Sequence, residues 1–261
     1  MEQSLLCVHA HPDDEVLFTG GLLARASEQG QRTTLVTCTD GRWGYSPGYI
    51  EMGHDDHNPD ATARQRSVDL GKSAEILGVS EVIELRHFDS GMRGWEVNAL
   101  PEAFVQQPTE LVAAGIAQLI DERRPELVVT YDRFGVYGHP DHVKAHEVTV
   151  AALKMATVKP KFLVVTVLPK TAAKMMTSLI DDAGSLPQWL IDMGEFGTSQ
   201  DQIVETVDAR RWLGIKRAAI MAHESQVDNH FFLGLDDERF AALLGVGRDS
   251  RGGMGSGAAW Q

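Results

Sequence analysis

Two short stretches of this chain are built alike: His11-Pro12-Asp13-Asp14-Glu15 and His139-Pro140-Asp141-His142. Each comes shortly after an apolar run, Leu5-Leu6-Cys7-Val8 and Leu127-Val128-Val129-Thr130-Tyr131. Runs of this kind read as strands buried on both faces. Each stretch carries proline where a helix would start, a position at which its missing N–H costs nothing. A buried strand that feeds a helix, twice over, calls for a sheet covered on both sides.

The rest of the chain fits that scheme. A helix is expected over 16–30, closing at Gly30, and a β-branched strand over 33–39, which makes a right-handed βαβ opening. Further helices are expected over 60–77, with Asp60 as cap and Gly78 at the end, and over 109–123, 141–155, 170–180 and 209–223. Strands are expected over 82–85 and 162–168. Irregular chain with one or two strands should fill 184–207. Two long loops, 40–59 and 89–108, are of the kind that covers active sites. The alternation predicts an α/β, Rossmann-like fold: a mostly parallel sheet, helices on both faces, and the site at the carboxyl edge of the strands. One domain is expected over 1–244, followed by a disordered glycine-rich tail over 245–261.

Charge narrows the partners. The formal net charge is −13, and so acidic a surface repels phosphate backbones and anionic lipid heads. No nucleic-acid and no membrane partner is expected. No apolar run approaches the ~20 residues of a membrane span, and no secretory signal is visible. A cytoplasmic enzyme is the default, and the reading allows a homo-oligomer. Cys7 and Cys38 sit in strand-like runs and read as buried, reduced thiols.

Spacing makes the two motifs a candidate metal site. His11 and Asp14 stand at i and i+3, as do His139 and His142, so each pair can share a face of a first helical turn. Catalytic zinc takes three N or O ligands and keeps a position for water, whose pKa it lowers to roughly 7. His11, Asp14 and one histidine of the second motif meet that count. Asp13 is left to act as a base. The remaining histidine can donate a proton or stabilise an oxyanion, with Asp141 orienting it. Taken singly, each motif also reads as a capped helix start with acidic residues favouring the dipole. His54-Asp55-Asp56-His57 is a weaker cluster, better read as solvated loop, and His223 is better read as complementing a helix C-terminus.

With those residues in place the chain resembles the PIG-L/LmbE family of zinc-dependent N-acetylglucosaminyl deacetylases, from Leu5 to about Leu244. It looks closest to the actinobacterial branch acting on the mycothiol precursor, an N-acetylglucosaminyl inositol. Asp89-Ser90-Gly91-Met92, Phe104-Val105-Gln106 and the run from Val129 to Gly138 suggest that branch. The resemblance implies His11, Asp14 and His142 as metal ligands and Asp13 as general base. It implies His139 as general acid and oxyanion partner, with Asp141 orienting it. Tyr137 would polarise the substrate carbonyl, and Arg66 and Asp89 would hold the sugar and its aglycone. The bland alternatives are a solvated helix charge for Arg66 and a surface-packed aromatic for Tyr137. Gly41-Arg42-Trp43-Gly44 departs from the acidic turn usual in that branch, which changes charge and bulk near the pocket mouth. Val16 and Phe18 look more like the general family, and the loop over 45–59 looks shorter than in the branch.

The expected function is therefore metal-dependent hydrolysis of the acetamide of an N-acetylglucosaminyl glycoside. Zinc is the expected ion, and such ligands also accept iron(II) or another divalent cation. The alternatives are an amidase of mycothiol conjugates, a deacetylase of another N-acyl amino sugar, or a sugar-binding module without turnover. A nucleotide-binding module is disfavoured, because no G-x-G-x-x-G follows the first strand.

Overall fold

The computed structural model describes residues 4–166, 170–181, 198–199 and 205–252. Strand β1 (Ser4–His9) is buried along all but its first residue. It leads through the first motif into α1 (Asp14–Glu28) and on to β2 (Arg32–Thr39). Helix α2 (Pro59–Leu77) opens with Pro59 and closes at Gly78 in the left-handed conformation. Its cap is Asn58, whose side chain accepts from the Ala61 N–H at 3.0 Å, and not the expected Asp60. Then come β3 (Glu81–His87), α3 (Thr109–Arg123) and β4 (Leu127–Tyr131). The single turn α4 (Gly135–Gly138) leads into α5 (Pro140–Met155). Strand β5 (Phe162–Thr166) and helix α6 (Lys170–Asp181) follow; the expected end of that strand, at 167–168, lies outside the described residues.

The sheet order is β3-β2-β1-β4-β5-β7-β6. The first five strands in this order pair in parallel, as the α/β reading expected. Chain order reverses at β1, which has β2 on one side and β4 on the other. A crevice opens at the carboxyl ends of strands on either side of such a switch point. Both histidine motifs follow these two central strands, so the topology brings them together across 128 residues of chain.

Two cores cover the sheet. On one face Leu6, Val8, Val36 and Val128 pack with Ile116 and Ile120 of α3 and Val148 and Leu153 of α5. On the other, Leu5, Leu35 and Val129 pack with Leu23 of α1 and with Leu70 and Leu77 of α2. Burial of each such large aliphatic side chain contributes roughly 1.5–3 kcal/mol. Among the described residues no helix is long and apolar enough to cross a membrane.

The C-terminal part departs from expectation. The helix expected over 209–223 begins as a 3₁₀ turn (Arg210–Trp212) and becomes α7 (Leu213–Ala222). Two short helices follow, α8 (Asp228–Leu233) and α9 (Asp237–Leu244). The segment expected to start a disordered tail instead forms β7 (Val246–Gly252), antiparallel to both β5 and β6 (Glu205–Asp208). Backbone pairing needs no particular side chains, so a glycine-rich stretch can join a sheet that offers open N–H and C=O groups. Residues 253–261, and most of 184–207 apart from β6, lie outside the described residues.

Candidate active site

The first motif turns sharply because Asp13 takes φ 114°, ψ −24°, a left-handed conformation unusual for a residue with a Cβ. Asp14 then opens α1 with its carboxylate folded back. Its Oδ2 accepts from the His11 N–H at 2.7 Å and from the Tyr131 hydroxyl at 2.7 Å. The same oxygen lies 3.2 Å from His11 Nδ1, and Oδ1 lies 3.3 Å from His142 Nε2. One carboxylate thus touches both histidines expected to share a metal with it.

The second motif arrives through strained chain. Gly135 has φ 66° and Val136 φ 65°, and the Asp132 carboxylate holds the turn through the Phe134 and Val136 N–H groups. His139 then caps α5, its Nδ1 accepting from the Asp141 N–H at 3.1 Å. That bond leaves Nε2 to carry the proton of the neutral ring. Burial, with the neighbouring His11 and His142, pushes His139 well below the usual histidine range.

The three imidazoles meet. Ring centroids are 4.5 Å apart for His11 and His139, 5.2 Å for His11 and His142, and 5.1 Å for His139 and His142. One ligand atom from each lies within 4.8 Å of the others, and the same is true of His11, Asp89 and Asp141. The site fits a divalent cation on one observation above others. The His142 ring is wholly buried; its Nε2 faces only the Asp14 carboxylate, and its Nδ1 has no hydrogen-bond partner among the described residues. A buried imidazole with an unsatisfied nitrogen, beside a carboxylate and two more imidazoles, belongs to a donor set that a cation satisfies.

The other expected residues surround this cluster. Asp141 directs its Oδ2 to the Ser90 N–H at 2.8 Å and to His11 Nε2 at 3.2 Å, while its Oδ1 has no hydrogen-bond partner among the described residues. Its contact with His139 is through the backbone N–H and not through the carboxylate, so the side chain expected to orient His139 reaches His11 instead. Asp89 lies 3.6 Å from His11 Nε2 and accepts from the Gly91 N–H at 2.8 Å. Burial raises the Asp89 carboxyl, but the His11 charge and hydrogen bond outweigh it and hold it below the usual range. Tyr137 presents its ring edge to His142 at 5.0 Å, and burial, with Asp14 and Asp13 nearby, pushes its hydroxyl well above the usual range. It therefore stays a protonated donor.

Arg66 is buried rather than solvated. It donates to the Gly41 carbonyl at 3.0 Å and to the Pro12 carbonyl, and lies 3.1 Å from Asp13 Oδ2. Burial raises the Asp13 carboxyl against the pull of Arg66. The departing turn folds inward. Arg42 pairs with Asp40 at 2.8 Å over the Phe88 ring, and Trp43 donates to the Asp89 carbonyl at 2.7 Å. The His54–His57 cluster remains in an exposed loop, although His57 stacks on Trp43 and its Nε2 reaches the Gly44 carbonyl at 2.9 Å.

Three participants escape sequence reasoning. Tyr131, legible only as the end of an apolar strand, stacks on His142 and bonds Asp14. Glu15 and His223 form a buried pair at 2.7 Å. Burial alone would raise the Glu15 carboxyl, but the His223 charge and hydrogen bonds hold it low. Burial would likewise lower His223, and Glu15 raises it. His223 stands at the α7 C-terminus as expected, and its side chain in addition reaches Glu15.

Residues 6–153, which hold both motifs, match the family model described as PIG-L: GlcNAc-PI de-N-acetylase. The chain belongs to the PIG-L family. Two relatives are named 1D-myo-inositol 2-acetamido-2-deoxy-alpha-D-glucopyranoside deacetylase. The one from Actinosynnema mirum is 38% identical over 85% of this chain and 80% of its own. The one from Acidothermus cellulolyticus is 37% identical over 89% and 83%. The fold of this PIG-L chain is also that of N,N'-diacetylchitobiose deacetylase from Pyrococcus horikoshii, at TM-score 0.63, 17% identity and 95% and 82% coverage. It is shared by the hydratase GalB of Pseudomonas putida at TM-score 0.65, 16% identity and 98% and 99% coverage, so the fold by itself does not fix the chemistry.

Proposed function

We propose that this PIG-L protein hydrolyses the acetamide of an N-acetylglucosaminyl inositol-type glycoside, releasing acetate and the free amine. The observation that carries the reading is the joining of His11, Asp14 and His142 through one carboxylate, with Asp13 next to Asp14 in the chain and held by Arg66. These three residues would hold a divalent ion, zinc or iron(II), which when bound supplies Lewis acidity to water and to the amide carbonyl. Membership of the family and the names of the relatives support the same reaction and substrate class.

The chain's own residues divide the remaining work. Asp13, its carboxyl raised by burial, accepts a proton from the attacking water. Tyr137 and the Nε2–H of His139 donate to the oxygen on which negative charge develops. His139 can then pass its Nε2 proton to the departing nitrogen. Asp141 holds His11 in orientation, and Arg66 fixes Asp13. Asp89, tied back by Gly91, and the adjoining loop offer acceptors for sugar hydroxyls. The acidic net charge of −13 supports a small neutral glycoside rather than nucleic acid or an anionic membrane as the partner, in keeping with a cytoplasmic enzyme.

The test is acetate release from N-acetylglucosaminyl inositol, run beside a mycothiol conjugate and a simple N-acetylglucosaminide. Release should stop on chelation and return with zinc or iron(II). Full turnover in metal-free protein, or cleavage of the conjugate alone, would overturn the reading.

A further inference from the structure

We propose that Glu15 and His223 are positioning residues that hold the backbone of Asp13, and through it the direction of the Asp13 carboxylate. The inference rests on reading Asp13 as the base. An N-cap residue ordinarily sits in the β region and turns its side chain onto its own helix. Asp13 does neither: it has φ 114°, and its side chain makes no cap hydrogen bond. The carboxylate points instead to Arg66, 3.1 Å away, and to Asn229 Nδ2, 3.5 Å away.

A left-handed residue with a Cβ persists only where its surroundings over-determine it. Glu15 supplies that constraint. Its Oε2 accepts the Asp13 N–H at 2.9 Å. Its other oxygen accepts from Ser73 Oγ at 2.6 Å and from His223 Nε2 at 2.7 Å. Glu15 and His223 are both completely buried, so the pair is out of contact with solvent. A buried ion pair is weak evidence for stability, since apolar side chains of like volume often do as well. What an apolar pair cannot do is accept the N–H of Asp13. His223 also lies outside the residues 6–153 that match the family model, as does Asn229. The C-terminal segment therefore completes the base's surroundings.

The test compares wild type with Glu15→Met, Glu15→Gln and His223→Gln. It reads kcat and KM for acetate release, bound metal per chain, and hydrogen exchange at the Asp13 amide. Glu15→Met keeps the volume and removes the acceptor. It should lower kcat roughly 10–100-fold, since small misplacements of a reacting group cost about that much. KM should stay within about twofold and metal content should be unchanged, because neither sugar contacts nor ligands are touched. The Asp13 amide should exchange at least about tenfold faster. Glu15→Gln keeps an oxygen for that N–H and should restore most of kcat and the protection. Should Glu15→Met fail to fold, His223→Gln carries the comparison, with a smaller fall in kcat and faster exchange expected. A folded Glu15→Met protein with wild-type kcat and wild-type Asp13 protection overturns the inference, as does a Gln variant as impaired as Met. If the wild type releases no acetate, the deacetylase reading fails, while the exchange comparison still decides the positioning.

Discussion

The Tyr131 ring lies flat against the His142 ring, 4.2 Å between centroids and 4° between planes. Its hydroxyl donates to Asp14, accepts the Ala10 N–H at 2.8 Å and lies 3.2 Å from His9 Nδ1. One side chain thus fixes the tilt of one proposed ligand and the rotamer of another. Groups that orient ligands typically change metal affinity 10–100-fold when removed. Tyr131→Phe keeps the stacking and loses all three hydrogen bonds, so affinity for zinc should fall roughly 10-fold or more. Competition against a chelator of known strength measures this directly. Unchanged affinity would make Tyr131 a packing residue only.

Asp13→Asn separates the base from the ligands. The amide keeps the shape and can still face Arg66, but it cannot take a proton. Turnover should fall by about 10²–10⁴-fold, the range general-base catalysis contributes, with zinc content and thermal stability close to wild type. Loss of metal in this variant would instead place Asp13 among the ligands.

The strand–motif–helix pairs were legible because they are local: an apolar run, a proline at the first helical position and two side chains at i and i+3. Helix α3 was read to its ends for the same reason, with apolar residues at helical spacing between prolines. The buried pair behind Asp13 was not legible. Glu15 and His223 stand 208 positions apart, and nothing near His223 distinguishes it from a helix-end histidine. Tyr131 was hidden by the apolar run that contains it. Helix α8 has six residues, too few to display a period, and β7 is recruited by backbone pairing that leaves no mark in composition. What sequence carries well is the nearby pattern; what it hides is the distant partner that a polar group needs once it is buried.

Gly135 is required by its surroundings as well as by its own φ of 66°. A Cβ there would stand 2.8 Å from His142 Cβ and 2.9 Å from the Val143 nitrogen. Neither neighbour is the free end of a flexible side chain, so Gly135→Ala must shift the first turn of α5. We expect a stability loss of about 1–3 kcal/mol from the conformation alone. A fall in zinc affinity should accompany it, because the residue displaced is a proposed ligand. Urea denaturation and metal titration of the same preparation test both halves. A variant as stable as wild type with normal affinity would show that the turn can relax at no cost.

Lys216 carries the clearest pH signature away from the metal cluster. Its Nζ is buried, donating to the Leu17 carbonyl at 3.1 Å and the Leu244 carbonyl at 3.3 Å, and no carboxylate among the described residues pairs with it. Burial therefore pushes it down from 10.5 to about 8. The sign follows from linkage. Below pH 8 the lysine is charged in both folded and unfolded chains, and the fold bears the full cost of burying that charge. Between pH 8 and 10.5 the folded state releases the proton while the unfolded state keeps it, so stability rises with pH. The whole shift corresponds to about 3 kcal/mol. Lys216→Met lacks this titration, and the other groups that titrate in this range cancel in the difference between the two proteins. Wild type should therefore gain on the variant by up to about 3 kcal/mol between pH 7.5 and 10.5 in urea denaturation. A difference that does not change with pH would mean that the Lys216 ammonium is solvated in the native protein.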